Sequence, residues 1–177
     1  METFTSPKEA VTNPYFDQSR KAALQSLNYS LLDLPLIDIV TLFNNLPFTY
    51  TLQCCYGHFL YSLQKDEHNL QPLPDYDPGI ITYRIAYIAF CIRKDSEGIQ
   101  FRDSLMKLQY IDPGLIQFGS SDWFWEKWLN SYVLQVEPEK YKYFDKAECT
   151  WKEALHIEEI RNLIFKELVV ILHNFLK

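Results

Sequence analysis

The last 28 residues constrain the fold more than any other part of the chain. Thr150-Trp151-Lys152-Glu153 has the spacing of a capping box, in which hydroxyl and carboxylate satisfy the first free amides of a helix. Ile157, Ile160, Ile164, Leu168, Ile171 and Phe175 follow at steps of three and four, one apolar stripe on a helix running to the C-terminus. Such a helix must bury its stripe against another layer of structure.

The preceding residues supply that layer. Phe16 to Leu27 reads as a short helix, with Ala22 and Ala23 favouring it and Leu24 and Leu27 as an apolar pair. Pro35 suits the first turn of a second helix that carries Leu36, Ile39, Val40 and Phe43 and stops at Asn44-Asn45 and Pro47. Rings and threonines make Phe48 to Tyr56 a strand. Ile80 to Arg93 is apolar on both faces apart from Arg84, as a central strand is. Gly98 to Tyr110 reads as a helix ended by Asp112-Pro113-Gly114, and Leu115 to Phe118 as a short strand. A turn and a helical turn follow over 119–128, then a strand from Tyr132 to Val136. Strands therefore come in adjacent groups, not in alternation with helices. The expected fold is α+β: a mostly antiparallel sheet with helices packed on one face and a long C-terminal helix. The 177 residues fit a single domain, 1–177, in which 1–13 form a loose lead-in. Residues 63–79 are acidic, proline-rich and aperiodic, a long loop of the kind that covers a site.

Charge and cysteine content narrow the function. The net charge of -6 and the absence of a basic stripe leave nucleic acid without an electrostatic footprint. No apolar run is long enough to span a membrane, and the N-terminus lacks the pattern of a signal peptide, so a soluble, cytoplasmic protein is expected. Cys54, Cys55, Cys91 and Cys149 are then expected as free thiols. They do not form paired CxxC motifs, so a structural zinc site has weak support from spacing; a metal-stabilised module would take Cys55 and His58 as two ligands, with others from Cys91, Cys149, His68 or the loop carboxylates.

Reactive groups concentrate in Cys54-Cys55-Tyr56-Gly57-His58. Strand alternation places Phe48, Tyr50, Leu52, Cys54 and Tyr56 on one face and Thr49, Thr51, Gln53 and Cys55 on the other. Cys54 thus belongs to the core, while Cys55 shares a more polar face. In a tight turn Cys55 and His58 lie close together, and Gly57 permits positive φ. An adjacent imidazole can lower a thiol's pKa, which makes Cys55 the candidate nucleophile and His58 its candidate base. The alternative, a small buried cysteine beside a histidine that caps the strand, stays open. Arg84 within a central strand needs a partner, either an acidic loop residue or a ligand anion; Arg84 and Gly57 are the candidate cofactor-binding residues. Asp122 reads as a helix N-cap, and Trp123, Trp125 and Trp128 as core or interface. Arg161 and His156 flank the apolar stripe of the last helix, where Arg161 either pairs with a carboxylate or holds an anion.

One resemblance bears on this stretch. Phe16-Asp17-Gln18-Ser19-Arg20-Lys21, Asp38-Ile39-Val40, Asn44-Asn45 and Thr51-Leu52-Gln53-Cys54-Cys55-Tyr56-Gly57-His58 are similar to the N-terminal part of the tRNA wybutosine-synthesising methyltransferase family, where a helix precedes a strand ending in Thr-x-Ser-Ser-Cys-Ser-Gly-Arg. The motif also resembles the Ser-Cys-x-Gly-His ending of uncharacterised bacterial proteins, which keeps the histidine. The resemblance covers about a quarter of the chain, and Cys54, Tyr56 and His58 depart from the methyltransferase pattern. It implies an α+β fold and, for the methyltransferase branch, S-adenosylmethionine binding. The expected function is a small-molecule-binding protein or enzyme centred on Cys55 and His58. The alternatives are a homodimer-forming interaction protein without catalysis and a methyltransferase-like protein.

Overall fold

The computed structural model describes residues 4–142, 144 and 146–177. The first helices are α1 (Phe16–Ser26) and α2 (Ile37–Asn45), the latter entered through a 3₁₀ turn carrying Pro35. Then come strands β1 (Thr49–Cys55), β2 (His58–Leu60), β3 (Ile81–Arg84) and β4 (Ala86–Ile92), and helix α3 (Ser96–Met106). The chain continues through β5 (Ile116–Gly119), the short helix α4 (Asp122–Lys127), β6 (Ser131–Val136) and β7 (Lys146–Cys149) to α5 (Trp151–Phe175). The strands form two sheets, β1-β4-β6-β5 and β2-β3-β7, and every ladder among the described residues is antiparallel. The fold is α+β, with the capping box formed as the sequence requires: Thr150 Oγ1 accepts from the Glu153 amide, and Glu153 accepts from the Thr150 amide.

The main core lies between the larger sheet and helices α2, α3 and α5. Ile88, Phe90 and Ile92 of β4 and Tyr132, Leu134 and Val136 of β6 meet Phe43, Phe101, Leu105, Ile157, Ile164 and Leu168. Phe101 packs edge-on against Phe43 and Phe175, the geometry that ring quadrupoles favour. The opposite face carries two smaller clusters, Phe16–Tyr50–Cys91 under α1 and Phe124–Ala89–Val133 under α4, so helices cover both faces of this sheet and not one as expected.

Four expectations change at the level of detail. The single strand read over 80–93 is two strands in different sheets, separated at Ile85. A bulge between Thr51 and Gln53 shifts the β1 register, so Tyr50 packs beside Cys91 on one face while Cys54 packs into the main core on the other. The N-cap of α4 is Ser121, and Asp122 pairs with Lys8 at 2.6 Å. Residues 1–3 of the lead-in lie outside the described residues, but the rest of it is fastened. Thr5 bridges Ser120, the Asn130 side chain exchanges hydrogen bonds with the Val11 backbone, and Tyr132 donates to the Lys8 carbonyl. No helix among the described residues is long and apolar enough to cross a membrane.

Candidate functional site

Two neighbouring strands leave the larger sheet together. β1 pairs with β4 as far as Cys55↔Tyr87, and β2 pairs with β3 from His58↔Arg84. Between these pairs the chain turns at Tyr56-Gly57 on one side and at Ile85 on the other. Gly57 takes φ +89°, where a side chain is strained. A Cβ there would also lie 2.8 Å from the Ala86 Cβ and 3.0 Å from the Tyr83 ring. The turn is therefore built for glycine, and it carries Cys55 and His58 at the corner between the sheets.

The corner is closed by a residue that sequence reasoning missed. Asp33 lies between the 3₁₀ turns that precede α2. Its Oδ2 accepts the Tyr56 amide at 2.8 Å and lies 3.2 Å from His58 Nε2. The other ring nitrogen, Nδ1, is 3.0 Å from the Asn69 carbonyl, contributed by the acidic loop. The Cys55 Sγ accepts the Gly57 amide at 3.4 Å. One donor atom from each of Asp33, Cys55 and His58 lies within 4.8 Å of the other two. His58 is 2 % exposed, and Asp33 and Cys55 are half-buried. The expected pair is thus a triad drawn from two distant segments. The signal for Asp33 was only a carboxylate before a proline-bearing turn, which by itself reads as a helix start.

The electrostatics follow from these partners. The Asn69 carbonyl can only accept, so Nδ1 donates, and Nε2 faces a carboxylate. His58 is pushed up to about 10, first by the hydrogen bond to Asp33 and then by Cys55, against the opposing effect of burial. For Asp33 burial is the largest single influence and acts upward. The hydrogen bonds from His58 and the Tyr56 amide, with the charges of His58 and His68, outweigh it and hold the carboxyl below its ordinary value. The imidazole is thereby held as a cation between fixed acceptors. Burial pushes the Cys54 and Cys91 thiols up to about 12 and the Cys149 thiol up to about 11.

α5 supports the corner from below. Arg161, 6 % exposed, donates from Nη1 to the Gly57 carbonyl at 2.9 Å and lies over the Tyr56 ring at 4.4 Å. It also reaches Asn162 and Glu158. Tyr56 stacks on Phe165 with centroids 5.1 Å apart and donates to Asn162. Of the two roles open to Arg161, the structure gives it the carboxylate partner. Arg84 is likewise engaged, donating to the Glu67 carbonyl at 3.0 Å and to its carboxylate at 3.2 Å. The acidic loop thus touches the corner at Asn69 and Arg84. It is anchored further along by Leu73, whose amide donates to Glu158, and by Trp151, which donates to the Pro74 carbonyl. His156 does not join this group; it pairs with Asp112 at 2.9 Å.

No family model matches the chain, and no curated protein matches it. Among solved structures, the PH1069 protein from Pyrococcus horikoshii is similar in fold, with a TM-score of 0.51 and 11 % identity over 90 % of this chain and 93 % of that one. A second structure, of the PH1069 protein from Pyrococcus horikoshii OT3, has a TM-score of 0.47 and 12 % identity over 92 % of each chain. The first likeness extends over nearly the whole length and shows a shared fold.

Proposed function

We propose that this chain is a small-molecule-binding protein or enzyme whose functional centre is the Asp33–Cys55–His58 cluster at the corner between the two sheets. The carrying observation is the convergence of a sulfur, an imidazole and a carboxylate within 4.8 Å, with the imidazole almost fully buried. A structural ion pair would require only Asp33 and His58. The half-buried sulfur adds a soft, reactive donor to the pair. His58 donates on both sides, so toward Cys55 it acts as a fixed positive charge, not as a proton acceptor. Asp33 holds the ring in place, and loop 63–79 forms one wall through Asn69.

The test is alkylation of the chelator-treated, folded protein by iodoacetamide, read cysteine by cysteine. Cys55 should react well ahead of Cys54, Cys91 and Cys149, and Asp33→Asn should slow it. A Cys55 that reacts only on unfolding would overturn the reading.

A second reading, a dimer-forming interaction protein, draws on α4, where Trp123 is 45 % exposed with Lys127 over its ring. Sedimentation velocity across a hundredfold concentration range separates the two, since a monomer throughout removes the dimer. The methyltransferase-like alternative would place S-adenosylmethionine at the Gly57 turn. It requires that compound to raise the melting temperature in the wild type.

A further inference from the structure

The centre has the donor set and spacing of a metal site, and we propose that Asp33, Cys55 and His58 bind one zinc ion, with the fourth position left to water or an incoming ligand; the assignment rests on the reading of this cluster as the functional centre. Carboxylate oxygen, thiolate sulfur and imidazole nitrogen are the three donor types zinc takes. In a tetrahedron with metal–nitrogen and metal–oxygen bonds of about 2.0–2.1 Å, those two donors stand about 3.3 Å apart. His58 Nε2 and Asp33 Oδ2 are 3.2 Å apart. A sulfur ligand at about 2.3 Å from the metal would stand about 3.6 Å from each of them, and the Cys55 sulfur lies within 4.8 Å of both.

The surroundings are those of metal ligands as well. A ligating histidine commonly donates its other ring N–H to a carbonyl or carboxylate, which fixes the tautomer. Here Nδ1 is on the Asn69 carbonyl, leaving Nε2 to face the cluster. The Tyr56 amide on Asp33 Oδ2 orients the carboxylate, and the Gly57 amide on Cys55 Sγ supports a thiolate. Arg161 fixes the turn that holds two of the three ligands by binding the Gly57 carbonyl. The thiolate selects against magnesium and calcium, which take oxygen ligands. On binding, the thiol proton and the Nε2 proton pass to solvent. Carboxylate and thiolate then balance the two charges of the ion.

The test is titration of the metal-stripped full chain with Co²⁺, followed by ultraviolet and visible absorption. One Co²⁺ per chain is expected, with a thiolate-to-cobalt charge-transfer band and tetrahedral d–d absorption, both removed by added Zn²⁺. The charge-transfer band should vanish in Cys55→Ser, and affinity should fall tenfold or more in Asp33→Asn and His58→Gln. No saturable binding, or an unchanged spectrum in Cys55→Ser, overturns the assignment. If a variant fails to fold, alkylation of wild-type Cys55 decides the matter. Protection by stoichiometric Zn²⁺ supports the site, and a fast rate indifferent to Zn²⁺ overturns the zinc assignment alone. A Cys55 inert even without metal overturns the functional centre together with it.

Discussion

Gly57→Ala isolates what the corner demands of its turn, and the structure contains its own control. Gly57 and Gly79 share the same φ of +89°, but a Cβ at Gly79 meets nothing within 4 Å, whereas one at Gly57 meets the Ala86 Cβ at 2.8 Å and the Tyr83 ring at 3.0 Å. At either position alanine is strained by about 1–2 kcal/mol. Reduced freedom of the unfolded chain offsets about 0.4–1 kcal/mol of that. Gly79→Ala should therefore destabilise by about 0–1.6 kcal/mol. At Gly57 the close contacts add an overpacking cost of about 1–3 kcal/mol, because neither neighbour can yield. Ala86 is fully buried between strands, and Tyr83 is held by its hydroxyl, which donates to the Val136 carbonyl and accepts the Ala86 amide. The total at Gly57 is about 1–4.6 kcal/mol. Urea unfolding followed by tryptophan fluorescence would give both losses, provided the m-values agree with wild type. In a chain of this size each kcal/mol corresponds to about 2–4 °C in melting temperature, so the two variants should be several degrees apart. Equal losses would refute the argument, since they would mean that the corner relaxes around a methyl group and that Tyr83 and Ala86 do not define it.

Three further outcomes follow from the same structure. In metal-free protein, His58 is raised from 6.5 to about 10, so its stabilisation is complete below pH 6.5 and fades as pH rises through the folded value. Asp33 is lowered below 3.8, so its share is present above 3.8 and fades as pH falls through its folded pKa. The stability gap between wild type and Asp33→Asn should thus be widest near pH 4–6.5 and narrow on both sides, as measured by urea unfolding at each pH. Arg161→Leu leaves the Gly57 carbonyl and the buried end of Glu158 without their cation, and should cost about 3–5 kcal/mol by the same assay. Thr150→Ala removes one half of the capping box and should lower stability by about 0.5–2 kcal/mol, with the loss of helix initiation visible in amide exchange over residues 151–154.

Local signals were legible wherever one short stretch contained its own reason. The capping box and stripe located α5 within a residue, and Pro35 located the entry to α2, because cap and helix period are written in adjacent residues. Cys55 and His58 were legible as neighbours because only Tyr56 and a glycine separate them. The short strands β2 and β7 were not. Each has three or four residues, and each exists because it pairs with β3, which is a property of the partner. The break at Ile85 was hidden for the same reason: residues on both sides are apolar, and only the change of pairing partner divides them. Arg84 and Arg161 could be read as cations in need of partners, but Glu67 and the Gly57 carbonyl lie 17 and 104 residues away.

Asp33 shows why the site itself could be half read. Its neighbours form 3₁₀ turns, and before the fold is known its carboxylate is one of many near a proline. What distinguishes it is energetic. A carboxylate and an imidazolium taken out of water lose solvation worth several kcal/mol per ion, and an apolar pair of similar volume would often serve stability as well or better. This chain instead surrounds the pair with fixed groups: the Tyr56 amide on Asp33, the Asn69 carbonyl on His58, the Gly57 amide on Cys55 and Arg161 beneath the turn. Each comes from backbone or from a residue whose own position is set by packing, so the donors are held in place before any ligand arrives. Asp33 and Arg161 satisfy the Tyr56 amide and the Gly57 carbonyl, tasks that the turn itself sets; the Cys55 sulfur is the group that neither task requires, and the proposed centre rests on it.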